Sequence, residues 1–154
     1  MNILLLAVGK AAGPEKTLTE RYVERAAKAG RAMGLTGFDV RELPDGDGPT
    51  RADREAASIL AKRGRGVLVA LDERGKALTS EEFAAFLQGF ADDARDVTFA
   101  IGGADGHPPS LRQAADHVLS LSTLTLPHQL ARVMLAEQIY RAVTLCIGHP
   151  YHRV

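Results

Sequence analysis

The sequence predicts an α/β domain built on a mainly parallel sheet. Three observations lead there. Apolar runs of five or six residues recur, each bounded by glycine or aspartate. Stretches of helical periodicity separate the runs. The two patterns alternate along all 154 residues with no repeat, low-complexity tract or linker. One domain, residues 1–154, is therefore expected, long enough to bury most of its apolar side chains.

Taken in order, Ile3 to Val8 is a continuous apolar run closed by Gly9, the pattern of a strand covered on both faces. Thr17 with Glu20 has the spacing of a capping box, predicting that a helix carrying Leu18, Tyr22, Val23, Ala26 and Ala27 opens there and ends near Gly34. Phe38, Val40 and Leu43 mark a second strand, and residues 44–50, rich in Pro, Gly and Asp, a loop. A charged helix is expected from Arg51 to Arg63. The strongest strand, Val67 to Leu71, is expected to stop at Asp72. Thr79 and Glu82 cap a third helix with Phe83, Phe86, Leu87 and Phe90 on its apolar face. Val97 to Ile101 is another buried strand, ending in Gly102 and Gly103. A short helix over 110–115, a last strand over 118–121 and a long helix from His128 to about Cys146 complete the pattern.

The totals exclude more than they identify. Net charge is zero, with 19 basic and 19 acidic side chains, so charge alone does not announce a nucleic-acid partner. Its distribution is uneven. Residues 61–76 hold Lys62, Arg63, Arg65, Arg74 and Lys76 against two acids, which suits either a local basic face or a solvated helix surface. A single cysteine, Cys146, excludes an internal disulfide and suits a reducing compartment. The first eight residues lack a basic leader and are too short to span a bilayer, so a cytoplasmic location is expected.

In open parallel sheets ligands bind beyond the carboxyl ends of the strands. Three such ends are marked here: Leu71-Asp72, Gly102-Gly103 and Leu121-Ser122. Residues 102–106 (Gly-Gly-Ala-Asp-Gly) fit an anion-binding loop or a plain tight turn, and neither a dinucleotide fingerprint nor a P-loop occurs. Residues 121–126 fit a segment that offers main-chain groups to a flat ring while leucines pack its faces, or an edge strand whose serines face water. His128, His149 and His152 lack the spacing and partners of a metal site, so no metal is expected. Cys146 sits within an apolar helical pattern and is not expected to be a nucleophile. The last helix is apolar on most sides, as if one face met a second copy of the chain.

Several blocks together carry a specific resemblance: Ala7-Val8-Gly9-Lys10; Leu71-Asp72 with Gly75-Lys76; Phe99-Ala100-Ile101-Gly102-Gly103 with Gly106; the run from Leu119 through Leu126-Pro127-His128; Arg132-Val133; Ala136-Glu137-Gln138 with Tyr140-Arg141-Ala142; and the ending His149-Pro150-Tyr151-His152-Arg153. On these the chain resembles the bacterial 23S ribosomal RNA pseudouridine N3-methyltransferases (the ribosomal RNA large subunit methyltransferase H family) of the SPOUT superfamily.

The resemblance implies a SPOUT-type parallel sheet flanked by helices, with a deep trefoil knot near the C-terminus. It implies S-adenosylmethionine (SAM) as cofactor, held by Leu71, Gly102, Gly103 and Leu121, Ser122, Thr123, Leu124, Thr125 and Leu126. It also implies a homodimer acting on 23S rRNA in the assembled ribosome, at N3 of pseudouridine-1915, with neither membrane nor DNA as partner. Arg132 is the candidate to stabilise the deprotonated imide, and His128, Glu137 and His152 are candidates for its proton. His149, Tyr151, His152 and Arg153 are the candidate RNA contacts, Tyr151 by stacking. Two departures stand out. The family's Gly-Gly-Pro-Glu-Gly loop has Ala104-Asp105 in place of Pro-Glu, and the segment around 44–54, often basic in relatives, is mixed and acidic. The rival readings are a related enzyme for another rRNA or tRNA base, a ribosome-binding protein without catalysis, and a nucleotide-binding module.

Overall fold

Five parallel strands form one sheet in the order β2-β1-β4-β3-β5, as seen in a computed structural model that describes residues 1–152. The strands are β1 (Asn2–Val8), β2 (Gly37–Leu43), β3 (Val67–Ala77), β4 (Val97–Ile101) and β5 (His117–Ser120). The helices are α1 (Gly13–Gly30), α2 (Arg51–Lys62), α3 (Ser80–Asp92), α4 (Pro109–Ala114) and α5 (His128–Ile147).

Side-chain alternation along the strands sorts the core into two layers. Ile3, Leu5, Val69, Phe99 and Ile101 face a larger cluster with Leu87 of α3 and Leu135, Ile139 and Val143 of α5. Leu6, Val8, Leu68 and Ala100 face the other way, onto Ala56 and Ile59 of α2 and Leu111 of α4. Strands buried on both faces explain the unbroken apolar runs in the sequence.

Two boundaries differ from expectation. Helix α1 opens at Gly13, four residues before the Thr17 box, because Pro14 occupies its first turn; the Thr17 hydroxyl then donates back to the Gly13 carbonyl at 3.3 Å instead of capping. The box at Thr79 does form: its hydroxyl accepts from the Glu82 N–H at 3.1 Å and the Glu82 carboxylate accepts from the Thr79 N–H at 2.8 Å.

The second difference matters more. Strand β3 does not stop at Asp72. It pairs with β4 up to Leu71, slips register, and pairs again with β5 at Lys76 and Ala77. Residues 72–75 leave the regular ladder at this slip. A Cβ on Gly75 would lie 2.6 Å from the Val118 backbone, so only glycine lets the two strands approach this closely.

Candidate functional site

The register slip of β3 and the carboxyl ends of β4 and β5 surround a cavity of about 310 Å³, at the lower end of the range of small-molecule sites. Residues 71–74 form one wall, 101–106 a second and 120–126, apart from Thr123, a third; His128 and Ala131 in the first turns of α5 stand at the mouth. The structure therefore gathers the three marked strand ends around one space. Thr123 is exposed and its side chain is not part of the lining.

Local hydrogen bonds shape each wall. The Gly106 N–H donates to the Gly103 carbonyl at 3.0 Å and turns the loop back on itself, so that a Cβ on Gly102 would lie 2.9 Å from the Gly106 backbone. A Cβ on Gly103 would meet the Glu55 carboxylate, also at 2.9 Å. In the third wall the Ser122 hydroxyl accepts from the Leu124 N–H (2.9 Å) and the Ser120 hydroxyl donates to the Ser122 carbonyl (2.8 Å). The serines thus bend the segment through local hydrogen bonds, and it does not extend as an edge strand.

One charged side chain of the first wall is buried. The Asp72 side chain, 4% exposed, lies 3.4 Å from the Arg74 guanidinium and 3.7 Å from that of Arg112. Arg112 also donates to the His107 carbonyl at 2.7 Å. His107 is buried, and its Nε2 donates to the Ala100 carbonyl at 3.1 Å. Burial pushes its pKa below the usual histidine value, outweighing the pull of that hydrogen bond and of Asp72. Within the second wall, Asp105 accepts two hydrogen bonds from Arg51, Nε at 2.6 Å and Nη2 at 2.8 Å. The Arg51 guanidinium holds the Asp105 carboxyl below the usual range, and Asp105 raises Arg51 in turn.

Of the four candidate catalytic side chains, only His128 lines the cavity. Arg132 is 1% exposed and engaged elsewhere: Nη1 donates to Glu42 at 2.6 Å, and Nη2 donates to the Val8 and Gly9 carbonyls at 2.9 and 2.5 Å, while Nε has no partner among the described residues. Burial pushes the Glu42 carboxyl up, but the Ala11 N–H and Arg132 outweigh it and hold its pKa low.

Glu137 belongs to a second cluster. Its carboxylate accepts from Arg141 (2.8 Å), from Gln138 (2.8 Å) and from the Tyr151 hydroxyl (3.0 Å). The Tyr151 ring rests on Tyr140, centroids 4.4 Å apart, with the Arg141 guanidinium 5.4 Å above it. Burial, then hydrogen bonding with Tyr22 and Glu137, raises the Tyr151 hydroxyl pKa. Tyr151 therefore anchors the tail against α5 and, in this arrangement, does not offer its ring for stacking. His152 is half-buried with its Nδ1 unpartnered among the described residues, His149 is exposed, and Arg153 lies outside the described residues.

His107, Arg112, Glu42 and the Arg51–Asp105 pair were not singled out from sequence as parts of a site. The one signal for the last was that both family departures, 104–105 and 44–54, fall on that pair. Among the described residues no group of His, Cys, Asp and Glu could hold a metal ion, and no helix is long and apolar enough to cross a membrane. Cys146 is half-buried, and burial raises its thiol pKa.

Comparison with known proteins adds the family. Residues 1–152 match the family described as Predicted SPOUT methyltransferase. The chain is 52% identical over 160 residues to the ribosomal RNA large subunit methyltransferase H of Rhizobium etli, with all of both chains covered. It is 50% identical over 159 residues to the protein of that name from Brucella anthropi, with 99% of each covered. Among solved structures it resembles a probable methyltransferase from Bordetella pertussis Tohama I: TM-score 0.54, 15% identity, 92% of this chain and 93% of that one covered. At that identity the likeness speaks for the fold alone.

Proposed function

The chain belongs to the SPOUT methyltransferase family, alongside the ribosomal RNA large subunit methyltransferases H, and from that premise we propose that it transfers the methyl group of SAM to N3 of pseudouridine-1915 in 23S rRNA of the assembled ribosome. The observation that carries the reading is the cavity itself: three strand-end segments, one of them a glycine loop without room for side chains, converge on a space that suits a nucleoside with an amino-acid tail.

The residues fit that cofactor. Leu71, Leu121 and Leu126 offer apolar walls for a flat ring, and main-chain groups of 121–126 can meet its polar edge. Gly102 and Gly103 let the loop fold tightly against the Gly106 backbone and Glu55, which sets its backbone in the cavity wall. When bound, SAM supplies an electrophilic methyl group on a sulfonium. The protein's part is to position the base and favour its imide without the N3 proton, since the N3 lone pair attacks poorly until that proton leaves. His128, at the cavity mouth, is the side chain placed to take the proton. Arg74, also in the wall and mostly exposed, is a cation able to stabilise the resulting negative charge. Arg132 instead ties the start of α5 to the ends of β1 and β2, which keeps His128 and Ala131 in place.

The second cluster is then the partner's contribution. Glu137 lies nine residues along α5 from His128, about 14 Å at the helical rise, too far to serve the same cavity directly. Leu124, Leu130 and Met134 are 72%, 44% and 45% exposed, an apolar surface suited to a second copy of the chain. In the homodimer Glu137, His149, His152 and Arg153 of one subunit complete the RNA site over the cavity of the other. The family resemblance implies a trefoil knot in this region, formed by β3, β5 and the segment leading into α5. The whole is a single domain working in the cytoplasm.

The test is transfer of labelled methyl from SAM to intact ribosomes lacking this modification, with free 23S rRNA alongside. Label at N3 of a pseudouridine in ribosomes is the expected result. SAM binding without label in either RNA would send the search to another substrate.

A further inference from the structure

We propose that Arg51 is a positioning residue for the cofactor: through Asp105 it fixes the glycine loop in the geometry that SAM requires. The inference rests on the proposed function, since it assigns SAM to the cavity that Asp105 lines.

Helix α2 touches this loop at two points one helical turn apart. Arg51 takes both oxygens of Asp105, and a two-point contact fixes orientation as well as distance. Four residues on, Glu55 is 4% exposed and fills the space beside Gly103, with Oε1 accepting from the Gly46 N–H at 3.1 Å and Oε2 without a partner. Arg51 is itself seated. Its backbone N–H donates to the Gly48 carbonyl at 3.3 Å, and a Cβ on Gly46 would lie 2.9 Å from the Arg51 Cβ. The loop over 44–50 therefore presents the guanidinium from a fixed base. An aspartate at 105 that lines the cavity would be free to turn toward the ligand or away from it; the pair with Arg51 removes that choice.

Calorimetric titration with SAM tests this on the wild-type chain, Arg51→Ala, Asp105→Asn, the double variant, and the charge-reversed Arg51→Asp/Asp105→Arg. KM for SAM and kcat on ribosomes are measured in parallel. Because the pair is half-exposed, each single variant should weaken SAM by about threefold, in Kd and KM alike, with kcat kept. The double variant should be no weaker than either single one, and charge reversal should recover most of the loss. Raising salt to about 0.5 M should narrow the gap between wild type and Arg51→Ala. Wild-type binding with unchanged affinity in Arg51→Ala, or losses that simply add in the double variant, would overturn the inference alone. A wild-type chain that bound no SAM would overturn the cofactor reading and this inference with it.

Discussion

His107 shows how a residue outside every motif shapes the site. Its ring is buried and donates to the Ala100 carbonyl of the central strand β4. Its folded pKa lies below the ordinary 6.5, so the unfolded chain takes up a proton first as pH falls. Stability is therefore full above about pH 6.5 and lost as pH drops from there toward the folded value. Urea denaturation from pH 7.5 to 5 should show that decline in the wild type. It should be flatter in His107→Gln, whose amide can still donate to Ala100 but does not titrate. An equal slope in both would remove His107 as its source. Arg132 teaches the complementary lesson. Its place near the start of the last helix suggested a catalytic cation, but that depended on where the guanidinium pointed. Three acceptors at the ends of β1 and β2, ninety or more positions earlier in the chain, hold it. No local pattern around residue 132 contains them.

Among the elements, β1, β4 and the capping box of α3 were legible because their signals are local: unbroken apolar runs and a four-residue cap. The extension of β3 was not. Asp72 looks like a strand end because it is polar, yet the chain resumes pairing at Lys76 with β5, a partner more than forty residues away. That slip pushes residues 72–74 into the cavity wall, so the misread boundary is also part of the site. The tail is the second case. Sequence marked His149 to Arg153 as functional, and the structure folds its 3-10 turn (Pro150–His152) back on α5 through Tyr151 and Glu137. Removing residues 151–154 should leave SAM affinity within about twofold of wild type and stop methylation of ribosomes. Full methylation by the truncated chain would refute a role for the tail in the RNA site.

At the scale of the molecule, the sheet order places three strand ends side by side, and α5 begins at the space they enclose. β4 and β3 are neighbours and β5 closes the edge, so segments about twenty to fifty residues apart in sequence become walls of one cavity. The alternating pattern announced the sheet, and the marked strand ends located the site in the second half of the chain. Strand order and the division of work between two subunits depend on long-range packing that no single segment encodes. The central claim is that this cavity holds the methyl donor of an rRNA methyltransferase. Methyl transfer from SAM to unmodified ribosomes by the wild type and by Gly102→Val tests it most directly, with circular dichroism to verify the fold of both. The isopropyl group would fall against the Gly106 backbone, and the account predicts rapid transfer by the wild type and a loss of about 100-fold in SAM affinity and rate in the folded variant. Transfer by Gly102→Val at the wild-type rate would contradict it.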